Sequence, residues 1–275
     1  MIAVILVLAL VLGGLALYLY YQQEQMLFFP SREILWTPDQ SGMEYREVTF
    51  TASDGLELAG WWVPAPGARA SVLFLHGNAG NRSGRAETIS LLQGLGCNVF
   101  IIDYRGYAGN PGRPTERGVK RDVEAAWRKM NELPEVSGTS KVIMGRSLGG
   151  ALAAWLAAHA GRDSDGVIIE STFTSLKAMA AEVYPWIPGF LVRMELNTAA
   201  YVERIQSPVL MGHSREDELI PFSHAETLKG KASHLYDFIE MRGSHGDAFL
   251  QTGDLYRKRL DAFLHYLDGR KSDSD

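Results

Sequence analysis

Hydrophobic positions divide the chain into an apolar N-terminal run and a longer region of alternating patterns. Residues 2–21 are uncharged and almost wholly apolar, about the 20 residues that an α-helix needs to cross a bilayer core of about 30 Å. Tyr18, Tyr20 and Tyr21 fall where an interfacial aromatic belt would sit. Further on, residues 45–50 and 56–63 read as two strands hinged at Ser53-Asp-Gly55. Short apolar runs at 71–75, 98–102, 141–144, 166–170, 207–212 and 235–241 read as buried strands. Helical patterns separate them, with an amphipathic stretch at 116–133, an Ala/Leu-rich one at 150–160 and a closing one at 250–267. Strands alternating with helices predict right-handed crossovers and an α/β domain whose mostly parallel central sheet is flanked by helices.

This pattern divides the chain into a transmembrane anchor (1–22), a juxtamembrane stalk (23–43), the α/β domain (44–268) and a polar tail (269–275). Met26-Leu-Phe-Phe-Pro30 in the stalk is expected to pack on the domain or the interface. The rival to an anchor is a cleaved signal peptide, for which Gly14-Leu-Ala16 offers a small-x-small site. No basic segment precedes the run, and its apolar character continues beyond that site, so a retained single-pass helix is the expectation. No Lys or Arg precedes it and only Arg32 lies close behind, which gives no charge asymmetry from which to read the side of the membrane.

With 275 residues, 46% hydrophobic and 21% charged, the chain can bury one substantial core. A net charge of -5 without any basic run argues against a nucleic-acid partner. The single cysteine, Cys97, permits no internal disulfide and reads as a small core residue. No metal-ligand set appears, and neither a metal nor an organic cofactor is expected.

The chemistry concentrates in the loops after the strands. Residues 141–144 run into Gly145-Arg-Ser147-Leu-Gly149 and then into the Ala/Leu-rich helix. A serine on such a sharp strand-to-helix turn is exposed above the sheet edge, and small residues two before and two after it let strand and helix approach closely. Its hydroxyl needs a base, a group that orients the base, and donors for an oxyanion. After strand 235–241 comes Arg242-Gly-Ser-His245-Gly246, which makes His245 the expected base among seven histidines. After strand 207–212 comes His213-Ser-Arg-Glu-Asp217, which makes Asp217 the expected acid, with Glu216, Glu218, Asp247 and Glu170 as rivals. Strand 71–75 breaks into His76-Gly-Asn-Ala-Gly-Asn81, so the backbone amides of Asn78 and Leu148 are the expected oxyanion donors. In Asp103-Tyr-Arg-Gly-Tyr107, Arg105 is expected to brace its loop on a carboxylate and Tyr107 to border the pocket; Arg146 is a candidate partner for Glu170. The insertion at about 173–205 is a short cap whose residues 184–194 are apolar, aromatic and proline-broken, with Trp186 and Phe190 as candidate pocket residues.

The elbow, His76-Gly-Asn-Ala-Gly-Asn81, Asp103-Tyr-Arg-Gly-Tyr107, Glu170-Ser-Thr-Phe173 and Gly243-Ser-His-Gly246 together resemble the α/β-hydrolase superfamily. More narrowly, they are similar to its membrane-anchored, short-capped serine hydrolases related to the serine-aminopeptidase-like and acylglycerol-lipase-like group. The resemblance covers about residues 26–268 and implies the α/β-hydrolase fold, with the oxyanion amide after His-Gly supplied by Asn78. It also implies a serine hydrolase that cleaves acyl esters through Ser147, His245 and Asp217. The same machinery serves thioesters, so deacylation of lipids or lipoproteins is an alternative. A non-catalytic binding module on a hydrolase frame is an alternative of another class, against which the intact Ser147, Asp217 and His245 set speaks.

Overall fold

Each short apolar run of the sequence becomes a strand, and the strands assemble edge to edge. The computed structural model describes residues 2–272. An eight-stranded sheet contains β2 (Arg46–Thr51), β3 (Glu57–Val63), β4 (Ala70–Leu75) and β6 (Cys97–Ile102), and also β7 (Ser140–Arg146), β8 (Gly166–Glu170), β9 (Val209–Ser214) and β10 (Leu235–Met241), in the order β10-β9-β8-β7-β4-β6-β3-β2. The hairpin β2–β3 is antiparallel, β3 joins β6 antiparallel, and all remaining neighbours are parallel. Two further short strands, β1 (Phe29–Pro30) and β5 (Ala79–Gly80), pair in parallel outside the main sheet.

Alternate residues of the inner strands feed two cores, as a period of two requires. Leu73, Leu75, Phe100, Ile102 and Ile143 face α3 (Glu116–Asn131) and α4 (Leu148–Ala158). Val72, Phe74, Val99, Ile101 and Met144 face α2 (Ala86–Gly94) and the C-terminal helices α8 (Ala248–Thr252) and α9 (Asp254–Ser272). Helix α4 is buried on almost every side, which is why its sequence is apolar all round. Cys97 is fully buried at the start of β6, where desolvation pushes its thiol up to about 12. Helices α5 (Leu176–Val183) and α6 (Thr198–Val202) lie in the insertion between β8 and β9, and α7 (Phe222–Lys231) connects β9 to β10.

The structure differs from the sequence pattern in three places. The closing helix is two helices, because Gly253 takes a positive φ of 57° between α8 and α9. Helix α9 continues to Ser272 into the expected polar tail, whose residues 273–275 lie outside those described. The N-terminal helix α1 (Ile2–Leu27), long and apolar enough to cross a membrane, runs unbroken past the expected end of the anchor. The expected stalk begins as the last turn of that helix and continues as β1, with Phe28 buried in the core.

Arg105 braces its loop as its sequence context suggests. Its guanidinium donates to Asp122 Oδ1 at 2.6 Å and to Asp54 Oδ2 at 2.8 Å, and its backbone N–H donates to Asp122 Oδ2 at 2.9 Å. Burial pushes the Asp122 carboxyl up from its ordinary range, against the downward pull of Arg105. Removing the cation strands a fully buried carboxylate. Arg105→Met should therefore lose about 3–5 kcal/mol of stability at neutral pH, measured by urea unfolding. The native state would then hold the Asp122 proton more tightly than the unfolded chain does, so the deficit should shrink as pH falls through the native pKa. A deficit independent of pH would point to lost packing instead.

Candidate active site

Strand β7 turns into α4 through Ser147 alone, whose φ of 58° and ψ of -124° no regular element uses. The turn is possible because a Cβ on Gly145 would lie 2.0 Å from the Gly149 carbonyl oxygen, and one on Gly149 would lie 1.9 Å from that of Leu75. Both positions therefore require glycine. The strained residue is held from two sides: its N–H donates to the Glu170 carbonyl at 2.9 Å, and its carbonyl accepts the Thr172 hydroxyl at 2.8 Å. The Glu170-Ser-Thr-Phe173 motif is thus the clamp of the elbow.

His245 and Asp217 arrive from the loops after β10 and β9. His245 Nε2 lies 3.0 Å from Ser147 Oγ, and His245 Nδ1 lies 2.8 Å from Asp217 Oδ2. With Nδ1–H donating to the carboxylate, Nε2 is left to accept the serine hydroxyl. Asp217 Oδ1 also accepts the N–H groups of Leu219 at 3.0 Å and Ile220 at 2.8 Å. Burial works to raise the Asp217 pKa, but the His245 bond and these amides outweigh it and hold the carboxyl below its ordinary value. Buried His213, 3.4 Å from Asp217 Oδ2, is shifted downward by its own desolvation.

The rival acids have other partners. Glu216 accepts the Gly243 N–H at 2.8 Å and Glu218 accepts that of His245 at 2.9 Å, so both grip the histidine loop by its backbone. Asp247 accepts the Ser244 hydroxyl at 2.7 Å. Glu170 is buried beneath the elbow, bound to Arg146 Nη2 at 2.8 Å and to the Tyr256 hydroxyl. The expected pairing of Arg146 with Glu170 is present, and the Arg146 guanidinium also lies 3.9 Å from the centre of the Phe249 ring.

The glycine loop after β4 lies against Ser147, with Gly77 close enough that a Cβ there would contact Ser147 Cβ at 3.4 Å. Leu148 supplies the first N–H of α4, a group without an intrahelical acceptor. The Asn78 N–H shares its peptide plane with the Gly77 carbonyl, which lies 2.7 Å from His76 Nδ1, and the Asn78 carbonyl, in the next peptide, accepts the Phe29 N–H at 3.0 Å and the Tyr107 hydroxyl at 2.6 Å. Behind it, Asp103 binds the Arg82 guanidinium at 2.5 Å and lies 3.2 Å from His76 Nε2. Burial would raise the Asp103 pKa, but His76 and Arg82 hold it lowered.

A cavity of about 300 Å³ opens over Ser147, lined by Asn78, Leu148, Phe173, Leu176 and Met179. The three tentative pocket residues do not line it. Tyr107 is fully buried behind the Asn78 peptide, because its hydroxyl finds an acceptor there rather than in the cavity. Trp186 and Phe190, 73% and 80% exposed, point off the cap, which lines the cavity through Tyr184, Ile187 and Leu191 instead. A further wall of the cavity, not anticipated from the sequence, is formed by α1, namely Leu19, Tyr20, Gln23, Met26 and Leu27. The available signal was spacing: 19, 23, 26 and 27 fall at i, i+4, i+7 and i+8, on one helical face that continues beyond the bilayer-length run.

A family model described as the alpha/beta hydrolase fold matches residues 70–200. An α/β-hydrolase domain-containing protein of Arabidopsis thaliana is 31% identical over 97% of this chain and 94% of its own. An uncharacterized membrane protein of Saccharomyces cerevisiae is 31% identical over 85% of this chain and 86% of its own. Among solved structures, a Pyrococcus furiosus esterase superposes with a TM-score of 0.72 at 20% identity, covering 88% of this chain and 98% of that one.

Glycine at the elbow is testable against glycine elsewhere. Gly149→Ala should lower the thermal midpoint by several degrees and abolish labelling of Ser147 by a fluorophosphonate probe, since its Cβ would meet the Leu75 backbone. Gly230→Ala in α7, where a Cβ meets nothing within 4 Å, should instead stabilise by up to about 1 kcal/mol. Equal effects of the two on the midpoint would refute the close-approach argument.

Proposed function

This chain belongs to the α/β-hydrolase family, and we propose that it is a membrane-anchored serine hydrolase that cleaves carboxylic acyl esters through an acyl-enzyme. The observation that carries the reading is the continuous relay from Ser147 Oγ through His245 to Asp217, at 3.0 and 2.8 Å, beneath an apolar cavity. A backbone held at positive φ at its head also supports a functional role for Ser147, since strain of this kind concentrates at active sites.

In the proposed reaction Ser147 Oγ attacks the acyl carbon as its proton passes to His245 Nε2. The carbonyl oxygen becomes an oxyanion facing the amides of Asn78 and Leu148, each such donor contributing about 3 kcal/mol. Asp217 remains ionised, holds the imidazole tautomer and stabilises the imidazolium. Collapse of the intermediate breaks the ester C–O bond, and the leaving alcohol takes the proton from His245. Water then attacks the acyl-enzyme with His245 as base, releasing a carboxylic acid and restoring the serine hydroxyl.

Membrane attachment through a retained α1 is supported by the composition of that helix, by the membrane relative in yeast and by side-chain bonds between its C-terminal turns and the cap. A signal peptide cut after Ala16 would leave a chain starting at Leu17. Full-length protein should therefore remain in membrane pellets through high-salt and alkaline washes, and N-terminal sequencing should find residues upstream of Leu17. Soluble protein beginning near Leu17 would replace the anchor with a signal peptide.

Ser147→Ala and His245→Ala should each abolish ester turnover, and the double variant should be barely worse than either alone because the residues act as a unit. Asp217→Asn should lower kcat by about four orders of magnitude by favouring the wrong histidine tautomer. Glu170→Gln, which keeps an acceptor for Arg146, should be far milder. Steady-state kinetics on a short p-nitrophenyl ester measures all of these. Substantial hydrolysis by Ser147→Ala would sink the mechanism, and reversed effects at Asp217 and Glu170 would move the acid to the earlier strand.

A further inference from the structure

The apolar helix and the cavity over Ser147 share residues. At about 1.5 Å per residue the 26 residues of α1 extend about 39 Å, against about 30 Å of hydrocarbon in a bilayer. The apolar run ends at Tyr21, so residues 22–27 project about 9 Å beyond it as continuous helix. Leu19 and Tyr20 on the cavity wall belong to the apolar run, while Gln23, Met26 and Leu27 belong to the projection. At the inner end, the Leu27 carbonyl accepts the Asn78 side-chain amide at 3.0 Å, beside the nucleophile. From there to Leu19 the wall climbs about 12 Å without interruption.

The cap closes the other side at the same level. Gln23 Nε2 donates to the Leu191 carbonyl at 2.6 Å, Arg193 N–H donates to Gln23 Oε1 at 3.0 Å, and Arg193 Nε donates to the Tyr20 carbonyl at 3.0 Å. Trp186 and Phe190 belong to this tethered segment and are largely exposed, and aromatic side chains of this kind settle among lipid headgroups. Their failure to line the cavity and their exposure then have one explanation.

On the ester-hydrolase reading above, we propose that α1 forms one wall of the acyl site and that the substrate is a long-chain acyl ester resident in the bilayer. Its chain passes from hydrocarbon along residues 19–27 to Ser147, while Trp186 and Phe190 seat the cap in the interface. The path avoids water, where each exposed methylene would cost about a four-fold factor in the equilibrium constant for reaching the site.

The test uses the full-length protein in dioleoylphosphatidylcholine vesicles with 4-methylumbelliferyl butyrate and palmitate. Leu19→Trp, which fills the outer end of the wall, should lower the palmitate-to-butyrate ratio of kcat/KM at least ten-fold. Leu17→Trp, on the same helix but not on the cavity, should change that ratio less than two-fold. Ratios that stay equal in the two variants, while hydrolysis remains dependent on Ser147, would overturn the α1 wall and leave the esterase reading standing. Hydrolysis that persists in Ser147→Ala would overturn the esterase reading itself and the inference with it. In vesicles with brominated acyl chains, the emission difference between the native chain and Trp186→Phe should be quenched; an unquenched difference would overturn the seating of the cap.

Discussion

Three backbone segments pass one another at Gly145 and Gly149, closer than any side chain would permit, and the site is built around that crossing. Because β7, α4 and the end of β4 meet there without a Cβ between them, Ser147 must take a left-handed conformation and its hydroxyl must emerge above the sheet edge. The Glu170 carbonyl and the Thr172 hydroxyl bear on the peptide groups flanking Ser147, so the geometry of the turn is carried by the neighbouring strand β8. Strain at one residue is tolerable when the surroundings over-determine it.

Around this crossing, the loops at the C-terminal ends of the strands are fastened by buried charge. Arg146 with Glu170 lies under the elbow, Arg82 with Asp103 lies behind the glycine loop, and Arg105 with Asp122 holds the next loop down. Buried pairs of this kind add little net stability over a hydrophobic core, because desolvation offsets most of their attraction. What they provide is position: each connects a loop to the sheet or to a helix at a defined distance. The histidine loop is fastened differently, by Glu216 and Glu218 accepting its backbone N–H groups.

The N-terminal segment joins this framework rather than hanging from it. Phe29 donates to Asn78 and Ser31 to Gly80, which makes β1 an edge of the glycine loop, and the Asn81 side chain donates to the Ser31 and Glu33 carbonyls. An apolar helix that ends in such a junction is mechanically continuous with the residues nearest Ser147. Cap, helix and glycine loop therefore enclose one cavity from three sides.

Local signals in the chain were sufficient for the strands, the hairpin and the elbow, because each depends on periodicity or on a few adjacent residues. Gly166–Glu170 and Leu235–Met241 follow the apolar runs to the residue, and the glycines flanking Ser147 announce close packing whatever surrounds them. Ser147, His245 and Asp217 were nameable because the order of strands and loops along the chain gives each of them a place at one sheet edge. Which carboxylate faces the imidazole was another matter. Asp217 and its neighbours Glu216 and Glu218 all follow β9, and only the path of the folded loop turns one side chain toward His245 and the other two toward backbone amides. The pocket was the least legible part, since a cavity is the space left between elements remote in sequence. Tyr107, Trp186 and Phe190 have suitable chemistry but face elsewhere, whereas Leu19, in the apolar run, and Met26, in the polar turn beyond it, reach the site because tertiary packing lays that helix along the cap.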